Sequence, residues 1–152
     1  MRKNIGEVGT AAVVSSFGGL FATAFMLRFF HIHNPIVRLS TLSRNVTSPL
    51  AIAIAGILGA NTSLAVSMVV ISGLIGANFG AAILDMAGIK DPVARGLGIG
   101  AAAHGLGTAA FTEEKDAFPF AAISMALTAT GATILVSIPM VKKALVKVAL
   151  GA

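Results

Sequence analysis

Uncharged apolar stretches alternate along the chain with short charged clusters. Residues 8–27 (20 residues), 45–84 (40), 96–112 (17) and 117–141 (25) contain no Asp, Glu, Lys or Arg. About 20 apolar residues, rising about 1.5 Å each, cross a hydrocarbon core about 30 Å thick. The longest run therefore holds two passes, and Gly59-Ala60-Asn61-Thr62-Ser63 supplies a turn near its middle. The pattern predicts five helical elements: 8–30, 49–58, 64–84, 92–112 with an internal break, and 118–141. Asp91-Pro92 reads as an N-cap followed by proline at the first helical position, where a missing amide hydrogen costs nothing. Thr47-Ser48-Pro49 repeats that chemistry inside an uncharged run.

Two places interrupt the apolar pattern. Residues 49–58 make only about 15 Å of helix, half a bilayer. Either extended residues before Pro49 complete the crossing, or the segment enters and returns. In both cases the helix N-terminus and its free amide hydrogens point inward. The other interruption is His104-Gly105-Leu106-Gly107-Thr108, where two glycines weaken helix by about 1 kcal/mol each. Irregular backbone at membrane depth must be buried in protein or line a cavity, because unpaired backbone groups in hydrocarbon cost several kcal/mol. The expected fold class is an all-α, polytopic helical membrane protein with two discontinuous helices, a partial form of the inverted-repeat transporter fold. No residue-level repeat relates the halves.

Composition agrees, with 56% hydrophobic and 11% charged residues against about 25% charged in soluble domains. The formal charge of +5 does not point to nucleic acid, because Arg2, Lys3, Arg38, Arg44, Lys142, Lys143 and Lys147 lie at the ends of apolar runs, where basic residues anchor and orient spans. Read that way, the Arg38/Arg44, Lys90/Arg95 and Lys142/Lys143/Lys147 clusters share one side. The 113–116 cluster and Asn61-Thr62-Ser63 face the other, with an odd number of crossings and the N-terminus opposite the basic side. Met1-Arg2-Lys3 imitates the start of a secretory signal, but the uncharged run that follows is too long and reads as a span. No Arg- and Ser-rich transit peptide is expected before that span. The chain has no cysteine, which excludes disulfides, thiolate metal sites and cysteine nucleophiles.

Most other motifs have structural explanations. Gly96, Gly98 and Gly100 with Ala103 match a dinucleotide-binding pattern, but no strand precedes them and no acidic residue follows at the required distance. Close helix packing accounts for them, as for Gly73, Gly76 and Gly80. His31 and His33 lack a third ligand and mark the interface, so no metal site and no cofactor is expected. Asn78 reads as glue between helices, and Ser124, Thr128, Thr130, Thr133 and Ser137 as residues that let helices approach. His104 is different, because an ionisable side chain within an apolar span marks a functional site by default. Its structural explanation is a neutral ring bonded to a neighbouring carbonyl. No base–nucleophile set is present, so no enzymatic activity is expected.

The stretch from Arg44 to Leu150 resembles the LrgB family, through Arg44-Asn45-Val46-Thr47-Ser48-Pro49, Gly73-Leu74-Ile75-Gly76-Ala77-Asn78-Phe79 and Asp91-Pro92-Val93-Ala94-Arg95-Gly96. It continues through Ala103-His104-Gly105-Leu106-Gly107-Thr108-Ala109-Ala110 and Phe118-Pro119-Phe120-Ala121-Ala122-Ile123. The wording is similar to the family's plastid branch, whose members carry glycolate and glycerate. The resemblance implies one LrgB-like transmembrane domain over residues 1–152, without the spans that come earlier in the family. It implies a plastid inner envelope or bacterial inner membrane, and transport of small 2-hydroxycarboxylates. Bacterial members imply the alternative, regulation of murein hydrolase beside a holin-like, LrgA-like membrane partner without transport. A homo-oligomer is the other expected assembly, and a truncated, inactive product is a third reading. On the transport reading, the carboxylate sits between the two breaks. It meets the amides of the 49–58 helix and the Gly105-Gly107 turn, with Asn45, Thr47, Ser48 and Thr108 as partners, and His104 balances its charge in pH-dependent uptake.

Overall fold

The computed structural model describes residues 4–151. These form helices α1 (Ile5–Phe29), α2 (Pro35–Thr41), α3 (Ser48–Leu58), α4 (Thr62–Met86), α5 (Pro92–Ala110), α6 (Phe118–Ser137) and α7 (Pro139–Leu150). The chain is a polytopic helical membrane protein in which α1, α4 and α6 are long and apolar enough to span.

α5 does not cross. Its helical run is interrupted at a single residue, His104, with φ 43° and ψ −138°, and there the chain doubles back. The Arg95 guanidinium lies 5.8 Å from the centre of the Phe111 ring, whereas a straight helix would hold these residues about 24 Å apart. A Cβ on Gly107 would lie 2.4 Å from the Ala103 Cβ and 3.2 Å from Ile99, so the two arms of α5, 92–103 and 105–110, pack against each other. The five-residue unwound stretch expected from the sequence is thus a one-residue reversal, and the half-helices beside it are two arms of one hairpin.

Glycine makes this hairpin fit. On α4, added Cβ atoms would meet the His104 ring from Gly73 (2.6 Å), Ala103 from Gly76 (2.0 Å) and Ile99 from Gly80 (2.4 Å). On α5, Gly96 and Gly100 press against the backbone of α6, where a Cβ would come within 2.2 Å of the Ala117 carbonyl and 2.1 Å of the Ala121 carbonyl. The Ser124 hydroxyl donates to the Leu97 carbonyl across the same contact at 2.8 Å. The glycine pattern is therefore a packing surface. Gly98 differs, with nothing within 4 Å of an added Cβ.

The segment before α4 also enters and returns. The Asn34 side chain caps α2, accepting from the Ile36 and Val37 amides, and irregular turns through 42–46 carry the chain inward. Asn45 rests against Gly19, near the middle of α1, and α3 then climbs back to Gly59. The Asn61 amide donates to Ser40 Oγ at 3.1 Å, which places the turn after α3 beside the C-terminal end of α2. A re-entrant hairpin followed by a long span therefore occurs twice, from opposite faces.

This topology revises three expectations. α2 is a helix where a loop was expected. The last predicted helix divides, because Pro139 holds Ile138 extended (φ −78°, ψ 119°). Its remainder, α7, carries Lys142, Lys143 and Lys147 and is pinned by Arg38 donating to the Ala149 carbonyl at 3.0 Å. The sidedness changes as well: since α5 returns, Lys90 and Arg95 lie beside the 113–116 cluster, not opposite it. Arg95 pairs with Asp85 at 2.6 Å and with Glu114 at 2.7 Å. All six acidic residues then fall on this face, while Arg28, Arg38, Lys142, Lys143 and Lys147 occupy the other, a positive-inside arrangement. Arg2 and Lys3 lie outside the described residues. Asn78 is exposed and donates to Leu74 of its own helix at 2.8 Å, so it glues no neighbour among the described residues.

Cysteine substitution tests this topology directly in a chain that has no cysteine of its own. Lys90→Cys and Lys115→Cys should react with a membrane-impermeant maleimide from one face of sealed vesicles, and Ser63→Cys from the other; labelling of positions 90 and 115 from opposite faces would show a crossing α5. A paired test addresses packing. Gly100→Ala should lower stability by about 1–3 kcal/mol because backbone blocks its Cβ, whereas Gly98→Ala should raise it by up to about 1 kcal/mol through helix propensity, both read from unfolding followed by circular dichroism.

Candidate functional site

The two re-entrant turns carry the residues expected to bind. In the α5 turn, His104 is 4% exposed and Thr108 is 5% exposed. His104 Nε2 donates to the Val69 carbonyl of α4 at 2.8 Å, so the ring is tied to a neighbouring carbonyl through one nitrogen and retains Nδ1 for another partner. Gly105 is half-buried, with the Met125 sulfur 3.7 Å from its added Cβ. Gly107 is buried at the point where the arms touch.

In the first turn, Thr47 occupies the N-cap position of α3 without a side-chain cap bond, and Ser48 opens the helix. The first-turn amides of α3 therefore have no capping side chain. Asn45 is 4% exposed.

Among the described residues, two buried side-chain atoms lack a hydrogen-bond partner: Asn45 Oδ1 and Thr108 Oγ1. One belongs to each turn. Leaving a buried polar atom unpaired costs about 1–3 kcal/mol, so both turns hold hydrogen-bonding capacity that the fold itself does not use.

Reasoning from sequence missed Arg44. It read this residue as an anchor at the edge of a span, but the irregular turns after α2 carry Arg44 inward. Nε donates to Thr23 Oγ1 on α1 at 3.2 Å, and the side chain lines a groove of about 430 Å³ between α4 and α5, with Ile75, Gly76, Ala102 and Ala103 among its walls. Arg44 is thus the residue of the first turn that reaches the wall leading to the second. The missed signal is Asn34-Pro35, the same cap-and-proline chemistry as Asp91-Pro92, which marks a helix start before Arg44.

The α5 hairpin is positioned at its base by an ion-paired cluster. Arg95 Nε and Nη2 donate to the two Glu114 oxygens at 2.8 and 2.7 Å, and Nη1 donates to Asp85 at 2.6 Å and to the Ile89 carbonyl at 2.9 Å. This ties the end of α4 to both ends of the α5 hairpin.

A model of the LrgB-like family matches residues 1–142. The chain is 39% identical over 150 residues to the plastidal glycolate/glycerate translocator 1 of Arabidopsis thaliana, covering 97% of this chain and 29% of that protein. It is 34% identical to the holin-like protein CidB of Staphylococcus epidermidis, over 83% of this chain and 54% of that one. It is 29% identical to the CidB of Staphylococcus aureus, over 75% and 52% respectively. The chain thus spans about half the length of these bacterial relatives and less than a third of the plant translocator. No solved structure matches it.

The reversal at His104 makes a sharp stability prediction. A positive φ with this ψ suits glycine and strains other residues by about 1–3 kcal/mol. In an ordinary helix alanine is more stable than glycine by about 1 kcal/mol. Here the order should invert: His104→Gly and His104→Ala both lose the bond to Val69, but the glycine variant should be the more stable in denaturant titration. An alanine variant equal to or above it would show that the reversal is not fixed at this residue.

Proposed function

We propose that this chain, which belongs to the LrgB-like family, forms the substrate-holding part of a membrane carrier for small 2-hydroxycarboxylates of the glycolate and glycerate type. The observation that carries the reading is the pair of unpartnered buried atoms, Asn45 Oδ1 and Thr108 Oγ1, one in each re-entrant turn. A 2-hydroxycarboxylate complements them, since its hydroxyl donates to an amide oxygen and its carboxylate accepts from a hydroxyl. The uncapped amides of α3 and those around Gly105 and Gly107 add donors, with Thr47 and Ser48 beside them.

A helix N-terminus favours an anion by about 0.3–2 kcal/mol, which is too little to offset dehydrating a carboxylate. Charge must therefore be balanced in the site. His104 supplies part of that balance through Nδ1, with Nε2 held on Val69, so a proton travels with the substrate. No bond of the substrate is broken, and the function is binding and passage. By analogy with the plant relative's name, the membrane is a plastid membrane, with a bacterial membrane as the other setting. Residues 1–152 act as one LrgB-like unit, completed by further spans, by an LrgA-like membrane partner or by a second copy.

The CidB relatives support a second reading, a holin-like membrane protein that carries no acid. Counterflow separates the two. Liposomes containing the protein and loaded with glycolate should accumulate labelled glycolate saturably, faster at lower pH. Asn45→Leu and Thr108→Val should each reduce the rate at least tenfold, and His104→Gln should flatten the pH profile. Leakage without saturation would favour the holin-like reading.

A further inference from the structure

We infer that Arg44 is the cationic ligand for the substrate's carboxylate, and that the groove between α4 and α5 is the site in which the small acid lies. This rests on the carrier reading and names the charge that reading requires.

The two buried or half-buried arginines of the hairpins differ in one respect. Arg95 is saturated, with carboxylates at 2.6 and 2.7 Å and a carbonyl at 2.9 Å. Arg44 makes one hydrogen bond, from Nε to Thr23 at 3.2 Å. Among the described residues, no Asp or Glu lies within 4.0 Å of it. Nor does the fold bring one near, since all six acids belong to the opposite face. The Nη atoms of Arg44 therefore keep their donors for a guest. A charged side chain held at membrane depth without a counterion is costly, and an anion that completes its fork recovers that cost through two parallel charge-assisted bonds.

The groove gives the guest its shape. Gly76 and Gly80 on α4 and Ala102 and Ala103 on α5 keep its walls low, leaving about 430 Å³ lined mostly by aliphatic carbon with one cation. With one guanidinium and the Ser72 hydroxyl among aliphatic walls, that combination fits a small singly charged acid better than a dianion, whose second charge would have no counterion. A residue that merely anchored the span would aim at the basic face, as Arg38 does where it holds the end of α7. Arg44 instead lines the wall that leads to His104. Ser72, which lines the same groove, offers the 2-hydroxyl a polar partner there.

The test is equilibrium binding of glycolate to the whole chain in phosphatidylcholine nanodiscs, by isothermal titration calorimetry. Wild type should bind saturably, Arg44→Gln at least tenfold more weakly and Arg44→Lys in between. Ala102→Phe, which fills the groove without touching the charge, should weaken binding as well, while Lys143→Gln should bind as wild type does. Absence of wild-type binding, or an Arg44→Gln variant that binds normally, overturns the inference. A readout on the unaltered chain covers the case in which Arg44→Gln fails to fold. Phenylglyoxal modification of Arg44, mapped by mass spectrometry, should slow several-fold in glycolate, and an unchanged rate overturns the inference. Binding that requires Arg44 without counterflow leaves the inference standing and removes the carrier reading. Counterflow that persists in Arg44→Gln does the reverse.

Discussion

Backbone that reverses inside hydrocarbon has to find its hydrogen bonds and its packing there, because no water is present to supply them. Both re-entrant turns meet that constraint by lying against surfaces stripped of side chains. His104 turns over Gly73, the ingoing arm of α5 rides on Gly76 and Gly80, and Asn45 enters over Gly19. Any larger residue would occupy the space the turn requires, and on the α6 side Gly100 would drive its Cβ into the Ala121 carbonyl. Close approach is what lets a non-glycine residue hold a strained conformation at 104: the ring's bond to the Val69 carbonyl and the surrounding contacts outweigh the backbone cost.

The same constraint separates the charges. Once each hairpin returns to the face it came from, the loops at its base must lie beside the ends of neighbouring spans. Arg95 joins the end of α4 to both ends of α5 through Asp85, Ile89 and Glu114, with Phe111 beneath the guanidinium. Its side chain is largely buried while Asp85 is open to solvent, so the bidentate contact with Glu114 is the more strongly felt of the two. The other face gathers lysine and arginine with no carboxylate among the described residues, and α7 lies along it with Leu145 and Ala149 buried.

Helix content and the three spans were legible because uncharged runs of the right length have few other uses, and Pro49 and Asp91-Pro92 marked helix starts accurately. The family resemblance fell on the residues that build the two turns. What the pattern concealed was the direction of travel after each break. A run of 17 uncharged residues is long enough to be read as a crossing, and only contacts between residues far apart in a straight helix, such as Arg95 with Phe111, reveal a hairpin. That error moved Lys90 and Arg95 to the wrong face. It also concealed Arg44, because a basic residue just before an apolar run looks the same whether the preceding segment lies at the surface or dips inward. Asn34-Pro35 carried the information, but a helix of seven residues leaves too short a periodic pattern to register.

Arg44 and Arg95 show how far one side chain's role depends on what the fold places opposite it. Both sit at re-entrant hairpins, yet Arg95 near the surface is given two carboxylates and a carbonyl and becomes a strut. Arg44, deeper, is given one hydroxyl. Folding alone would favour replacing such a residue, together with the unpartnered Asn45 and Thr108, by apolar groups of similar volume, since a buried polar atom without a partner is worse than none. Their location argues against accidental defects. The three fall on the two hairpins, and the groove into which Arg44 reaches borders the α5 reversal through Ala102 and Ala103. On the proposed carrier reading, a guest that supplies these partners makes the occupied form the more stable one, and because the hairpins enter from opposite faces, contacts with both would couple its binding to their relative position.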